Sequence, residues 1–165
     1  MSKNINTIKI LQLVEFVLGN DTYALPLNNV QEIIKIVEII YIPKAPSFVE
    51  GVINLRDKIV PVIDLKKRFD IKNNLNEDNN KIKIKASSRI IISEIASHTI
   101  GLIVDHVKQV INVEESHFEN KPEITNSIDQ DFIEGMLKYN NKIIIILNPN
   151  KILSSSETNN LNCLK

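Results

Sequence analysis

The sequence predicts an all-β fold built from two small barrels that lie side by side. Ile, Val and Leu cluster in runs of about 5–8 residues, which Gly, Asn, Asp and Pro separate, and this pattern is typical of short strands joined by tight turns. No long amphipathic helix accompanies these runs. The chain also repeats itself, which indicates two similar subdomains, each too small to be stable alone.

The internal repeat consists of two matched pairs of segments in the same order. Residues 13–34 align without gaps with residues 90–111, and residues 50–69 align with residues 134–153. The second pair shares Glu, Gly, Lys-Ile and a later Lys, and nearly every apolar position matches. Where the two copies keep one pattern but differ in chemistry, the fold alone does not explain the difference.

Domain boundaries follow from the repeat. We expect a single domain over residues 10–153, made of two interlocked barrel subdomains with approximate repeat halves 10–69 and 82–153. A polar loop over residues 71–81 separates the halves, and residues 154–165 are predicted to form a frayed tail.

The strands of the first half are read from its apolar runs, over residues 10–18, 22–25, 35–42, 51–55 and 58–63. Asn28 is placed to cap a short helix, since its side-chain oxygen can accept a hydrogen bond from a backbone N–H two or three residues on. Val30, Ile33 and Ile34 then fall on one face of that helix. A further helical turn is predicted over residues 65–69.

The second half repeats this order. Strands are predicted over residues 89–95 and 99–104, followed by an apolar segment, a polar connector and a hairpin over residues 133–147. The turn of this hairpin, Asn140-Asn141, suits type I′ geometry because Asn tolerates positive φ. Asn148, which precedes a proline, is predicted to cap a short helix.

Composition limits the class of protein. The 165 residues are 43% hydrophobic and 24% charged, with zero formal net charge, as in a soluble globular protein. A neutral chain with 5% aromatic residues argues against nucleic-acid binding. Cys163 is the single cysteine, so no internal disulfide can form. The N-terminus lacks a signal-peptide pattern, and the longest apolar run, residues 143–147, is too short to cross a bilayer, so a cytoplasmic location is expected.

Few side chains are arranged for catalysis. His98, His106 and His117 have no second His or Cys at metal-ligand spacing. Asp64 corresponds to Asn148 in the repeat, which favours a helix N-cap in both copies; a catalytic carboxylate kept in one copy is the alternative. The sequence contains no nucleophile elbow, phosphate-binding loop or dinucleotide fingerprint. We therefore expect no enzyme activity, no cofactor and no metal.

The turn of the first hairpin differs from its repeat copy. Arg56 and Asp57 correspond to Asn140 and Asn141, so turn geometry does not demand the arginine. An arginine at a rigid hairpin tip offers a planar, permanently charged group to a partner's carboxylate or backbone carbonyls. The alternative is an ordinary solvated turn residue.

Residues 46–69, PSFVEGVINLRDKIVPVIDLKKRF, resemble the signature of the CheW family, which usually runs P-x-F-x-x-G-V-x-N-L-R-G-x-I-x-P-V-x-D-L. The resemblance extends to VQEII at residues 30–34, to GLIVDHV at residues 101–107 and to the closing hairpin and helix, so it covers about residues 10–153. It implies two five-stranded, SH3-like barrels related by a pseudo-two-fold axis.

The resemblance also implies a non-enzymatic role. Proteins similar to CheW bridge the regulatory domain of the histidine kinase CheA and the cytoplasmic tips of chemoreceptors, in arrays at the membrane and without inserting into it. By the family motif, the kinase-facing residues would be Val30, Glu32 and Gly51. The receptor-facing residues would be Asn54, Leu55 and Arg56.

One position departs from the family pattern: Asp57 stands where Gly is usual. Asp visits the left-handed region readily, so the turn is expected to survive. Its charge could pair with Arg56 and compete with a receptor carboxylate.

Two other functions stay open. One is a CheW-like adaptor that serves a different kinase and receptor set, for surface motility or development. The other is a small barrel enzyme or ligand-binding protein, which would need a polar, concave pocket.

Overall fold

The computed structural model describes residues 7–71, 84–120 and 130–162, and their secondary structure is mostly strand. The strands are β1 (Ile10–Leu18), β2 (Asp21–Pro26), β3 (Val30–Lys35), β4 (Val49–Leu55), β5 (Lys58–Asp64), β6 (Arg89–Ile95), β7 (His98–Val104), β8 (His106–Glu114), β9 (Phe118–Asn120), β10 (Ile133–Tyr139) and β11 (Lys142–Leu147). The α-helices are α1 (Leu65–Arg68) and α2 (Ser155–Asn162), and single 3₁₀ turns cover Leu27–Asn29, Glu115–His117, Gln130–Phe132 and Pro149–Lys151. The all-β prediction is confirmed. None of the described helices is long and apolar enough to span a membrane.

The strands form two sheets, and each sheet closes on itself. Barrel A has the order β8-β1-β2-β11-β10-β9, and barrel B has the order β3-β6-β7-β5-β4. In barrel A the chain leaving β8 pairs with β10 as β9. In barrel B the chain leaving β3 returns to β4 through an isolated bridge between Ile40 and Val52. We call residues 39–41 the closing segment of barrel B.

Each barrel takes strands from both halves of the sequence. Strands β1 and β2 pair with β8 and β11, whereas β3, β4 and β5 join β6 and β7. The third strand of each half therefore crosses into the other barrel. The sheet of each barrel is therefore incomplete without the other half of the sequence.

The repeat extends to strand register. The β4–β5 hairpin shifts register between Val49 and Gly51, and β10–β11 shifts between the corresponding residues Ile133 and Gly135. The parallel contact of β5 with β7 has its counterpart in the parallel contact of β11 with β2. Bulges fix the bend and twist of a strand, so their presence in both copies confirms that the copies share one fold.

Three apolar clusters hold the fold together. One fills barrel A and one fills barrel B. The third is central and draws side chains from both barrels, including Phe16, Leu65, Ile91, Leu147 and Leu161. Burial of this shared cluster makes the two barrels one cooperative unit.

The predicted helix after Asn28 is wrong. Only Leu27–Asn29 form a 3₁₀ turn, and the following residues are strand β3, which pairs with β6. The branched side chains of Val30, Ile33 and Ile34 favour a strand once a partner strand is present. The strand predicted over residues 35–42 is also wrong beyond Lys35, which ends β3, because only Ile40 makes a bridge within residues 36–42.

The frayed tail is wrong for residues 155–162, which form α2. Leu161 is buried in the central cluster, and the Ser154 hydroxyl accepts a hydrogen bond from the Glu157 N–H at 3.2 Å. Burial of one leucine and a capped first turn outweigh the poor helix propensity of this Ser- and Asn-rich segment. Cys163 and most of the predicted 71–81 loop lie outside the described residues.

The basic side chains of α1 connect the barrels. Lys66 Nζ lies 2.9 Å from Asp105 Oδ1, and both side chains are about nine-tenths buried. The other carboxylate oxygen of Asp105 accepts a hydrogen bond from the Gly19 N–H in the β1–β2 turn. Arg68 Nε donates to the carbonyl of Ile152 at 2.8 Å. Helix α1 of barrel B is thereby tied to the turn of barrel A and to the chain beyond β11.

We predict that Lys66→Met lowers the free energy of unfolding by about 3–5 kcal/mol, because it leaves the Asp105 carboxylate buried without its cation. Chemical denaturation measures this change. The matched control is Lys9→Met, which removes an exposed pair with Glu115, and its expected cost is under about 1 kcal/mol. Equal effects of the two substitutions would contradict the structural role of Lys66.

Candidate binding surface on barrel B

The tip of the β4–β5 hairpin adopts the predicted turn. Arg56 and Asp57 have φ of 50° and 65°, and their repeat counterparts Asn140 and Asn141 have φ of 49° and 62°. Positive φ at both central residues is the mark of a type I′ turn. The turn therefore tolerates Asp57 in place of Gly, and its geometry does not require an arginine.

Arg56 pairs with Glu32, not with Asp57. Its Nη2 lies 2.8 Å from Glu32 Oε2, and the Arg56 side chain is 80% exposed while that of Glu32 is 25% exposed. The possible pairing with Asp57 is not found among the ion pairs of the described residues. The contact joins β3 to the hairpin tip, so one kinase-facing residue and one receptor-facing residue of the predicted site touch each other.

The other predicted site residues differ in exposure. Asn54 is exposed, and Leu55 is half-buried against the barrel B cluster. Val30 is half-buried against the central cluster. Gly51 is buried, and a Cβ placed there would lie 2.8 Å from the carbonyl carbon of Ile40. The exposed surface thus consists of Arg56, Glu32, Asn54 and part of Leu55. Gly51 has no side chain and could offer a partner only backbone atoms.

Two exposed isoleucines were missed by the sequence analysis. Ile33 on β3 is 39% exposed, and Ile59 on β5 is 52% exposed. Ile59 lies directly opposite Asn54 in the hairpin register. The alternation of exposure along β3 would have pointed to Ile33, but the helix assignment concealed it. Ile33 follows Glu32 in β3 and therefore lies on the opposite face of that strand. Ile59 adds an apolar side chain beside Asn54, and an arginine next to apolar side chains is typical of protein interfaces.

The carboxyl of Asp64 caps α1, as Asn148 caps the turn after β11. Asp64 Oδ1 accepts a hydrogen bond from the Lys66 N–H at 3.0 Å, and Asn148 Oδ1 accepts one from the Asn150 N–H at 3.0 Å. Burial raises the pKa of Asp64, although the Lys66 N–H and the nearby lysine charges act against it. The N-cap interpretation is therefore confirmed in both copies. This geometry does not support the alternative, in which Asp64 is a catalytic carboxylate.

Glu50 is a second buried carboxyl near α1. Burial raises its pKa, and the ion pair with Lys67, at 2.6 Å, opposes the rise only in part. Both carboxyls therefore hold their protons more tightly in the folded chain than in the unfolded chain.

The histidines do not converge. His98 begins β7, His106 begins β8 and His117 ends a 3₁₀ turn. Within the described part of the chain, no three His, Cys, Asp or Glu residues are grouped to hold a metal ion. An open cavity of about 360 Å³ lies at one end of barrel A and is lined by residues 7–9 and 114–116. None of the predicted site residues lines it.

These features define a two-barrel protein whose copy-specific chemistry lies on an exposed surface, as in a binding module. Residues 12–157 match the family model described as a CheW-like domain. The chain therefore belongs to the CheW family.

Individual relatives agree with this assignment. The chain is 31% identical over 150 residues to the chemotaxis protein CheW of Treponema pallidum, covering 91% of this chain and 86% of that protein. It is 30% identical over 147 residues to CheW of Bacillus subtilis, covering 89% of each. Among solved structures, it is similar to the scaffolding protein CheW of Thermoanaerobacter tengcongensis, with a TM-score of 0.79 and 42% identity over 90% of this chain and 96% of that chain.

We predict that Asp64→Asn flattens the pH dependence of stability. The raised pKa means that Asp64 favours the folded state most at low pH, and that this contribution is lost as the pH rises through the raised value. The asparagine keeps the cap, as Asn148 does, without a buried charge. Urea denaturation between about pH 4 and about pH 7 should show a smaller decline in the variant.

The control for this experiment is Asn148→Ala, which should lower the free energy of unfolding by about 1 kcal/mol at every pH, because it removes a cap that does not titrate. An unchanged pH profile in Asp64→Asn would show that this carboxyl is not the titrating group.

Proposed function

We propose that this protein is a non-enzymatic chemotaxis adaptor that couples chemoreceptors to the histidine kinase CheA. The observation that carries the proposal is the exposed Arg56 at a rigid hairpin tip, held by Glu32, where the repeat has only Asn140. Membership of the CheW family supports the same role. The partners are the regulatory domain of CheA and the cytoplasmic tips of chemoreceptors, and the location is a cytoplasmic one at membrane-associated arrays.

The Glu32–Arg56 pair suggests how two partners can influence each other. Exposed ion pairs contribute about 0–1 kcal/mol, so a partner's charge can displace either member at little cost. A receptor carboxylate that recruits Arg56 would release Glu32 for the kinase side, and the reverse holds equally. The adaptor would transmit a signal through this exchange of partners, with no chemical step of its own.

The first test is calorimetric titration of this protein into the purified regulatory domain of its cognate CheA. Saturable one-to-one binding is the expected result. Absence of binding, with both proteins folded, would refute the coupling of this chain to that kinase. Binding only to the kinase of a surface-motility or developmental pathway would favour the alternative adaptor role.

We predict that Glu32→Lys weakens binding to the kinase domain, because it places a cation beside Arg56 and removes the carboxylate from the surface. The same titration measures the dissociation constant. Glu134→Lys, which makes the same charge change at an exposed position of barrel A, should leave that constant unaltered. An unaltered constant in Glu32→Lys would remove this residue from the kinase surface.

We predict that Arg56→Glu leaves folding intact but weakens receptor control of kinase activity in reconstituted arrays. The side chain is mostly solvent-exposed, so its loss should cost under about 1 kcal/mol of folding free energy. Asn140→Glu, at the same turn position of barrel A, is the control. Kinase activity that responds normally to receptors in Arg56→Glu would count against the proposed receptor contact.

A further inference from the structure

Helix α2 is attached to the rest of the protein at two points. Leu161 is buried in the central cluster that both barrels share. Glu157 Oε1 lies 3.5 Å from Nη2 of Arg68 in α1, and this is the one ion pair that α2 makes among the described residues. The exposed residues of the helix are Ser155, Ser156, Asn159 and Asn160. One large apolar side chain and one ion pair thus supply the attachment.

The hydrogen bonds at the start of α2 stay within that segment. The hydroxyl of Thr158, which is also buried, donates to the carbonyl of Ser154 at 2.9 Å, and the Ser154 hydroxyl accepts from the Glu157 N–H. Glu157 Oε2 is buried without a hydrogen-bond partner in the described part of the chain, and an unsatisfied buried oxygen opposes docking. These groups shape the helix but do not fasten it to the barrels.

The composition of α2 works against a helix that stands alone. Ser, Thr and Asn side chains compete for backbone hydrogen bonds, so Ser155–Asn162 has poor helix propensity. An isolated helix of this length is also too short to be stable in water. The helix therefore persists because Leu161 is buried, and loss of that contact would unfold it. Docking and helix formation are one step.

The central strands of barrel B are held more firmly. Strand β6 pairs with β3 and β7, and β7 pairs with β6 and β5, so both strands are bonded along both edges. Their fully buried side chains include Ile91 and Ile92 of β6 and Ile100 and Leu102 of β7. Segments with few buried apolar contacts open at a lower free energy than the core of the same protein. The structure thus combines a firm body with a weakly attached helix.

The position of α2 gives its opening a consequence. Leu161 covers part of the cluster that joins the barrels, and Arg68 belongs to the helix that ties barrel B to barrel A. The hydrogen bond from Arg68 to the carbonyl of Ile152 does not involve α2, and neither does the Lys66–Asp105 pair. When α2 leaves, the barrels keep these ties, whereas part of the central cluster is uncovered and Arg68 loses its carboxylate.

We propose that α2 is a detachable strap, which undocks and unfolds as a unit while both barrels stay folded. Its closed state covers the central cluster and pairs Arg68 with Glu157, and its open state exposes the Leu161 site and releases Arg68. The junction of the barrels thereby has two states, which differ in exposed apolar surface and in one unpaired positive charge. The strap is a property of the fold and does not depend on the proposed function.

The first test is hydrogen–deuterium exchange of the unaltered full chain, followed at the N–H groups of residues 159–161 and of β6 and β7. The α2 groups should exchange at least about 100-fold faster than the slowest groups of β6 and β7, but more slowly than in an unfolded peptide. Equal rates in helix and strands would overturn the proposal, because α2 would then open only when the whole protein unfolds. Exchange of α2 at the rate of an unfolded peptide would overturn it too, since no docked helix would exist.

A substitution in barrel B tests whether α2 opens independently. Ile53 is buried in the barrel B cluster, which is distinct from the central cluster that holds Leu161. Ile53→Val should speed exchange in β6 and β7 about fivefold through lower global stability, and it should leave the α2 rates unchanged. An equal acceleration of α2 would refute separate opening.

A substitution of the anchor tests whether the barrels stay folded when the strap is open. In Leu161→Ala, α2 should exchange like an unfolded peptide, while the circular dichroism of the strands and a single cooperative melting transition persist. Asn160→Ala is the matched control at the exposed neighbouring position, and it should slow α2 exchange about threefold because alanine is the better helix former. Unfolding of Leu161→Ala at room temperature, or unchanged protection of α2 in that variant, would refute the strap.

Discussion

The fold depends on one buried ion pair, between Lys66 of α1 and Asp105 at the crossing from barrel B to barrel A. Two charges withdrawn from water are tolerated only when each is fully paired, and Asp105 also holds the Gly19 N–H. Moving either barrel would strand a buried charge, which costs several kcal/mol. The Nε of the neighbouring Arg68 donates a hydrogen bond to the carbonyl of Ile152, and its Cζ lies 5.1 Å from the centroid of the Phe48 ring. One turn of helix thus sets the relation of the two barrels.

The second copy holds the corresponding turn without an ion pair. In the second copy, the N–H of Ala96, which corresponds to Gly19, is held by the side-chain oxygen of Asn150 at 3.3 Å. Asn150 corresponds to Lys66 in the repeat. In the second copy one side-chain amide therefore holds the turn directly, whereas in the first copy Asp105 holds the turn and Lys66 neutralises that aspartate.

The sequence was sufficient for the strands of both hairpins, their turns and the repeat, because each rests on local signals: short apolar runs and Asn, Asp or Gly at positive φ. It failed at β3 and α2, where long-range contacts decide. Ile33 and Ile34 are spaced for a helix, yet they pair with β6, which lies some sixty residues further along the chain. A local sequence pattern cannot reveal a partner strand that is so distant in sequence. Of the candidate site, the place of Arg56 at the exposed hairpin turn was predictable from the copy comparison. Its contact with Glu32 was not, since it depends on the return of the chain after β3.

Two ion pairs of similar length have opposite consequences here, and their burial decides which. Lys66 and Asp105 are nearly inaccessible, so their separation carries a large cost and the pair acts as a structural fixture. Arg56 and Glu32 approach at 2.8 Å, yet Arg56 is mostly in water, where competition from solvent leaves the pair worth little. A contact that costs little to break can be remade with a partner. Under the proposed function, rigid barrels and an exchangeable surface pair would let a bound receptor alter a bound kinase, and the difference in burial gives the two pairs these opposite properties.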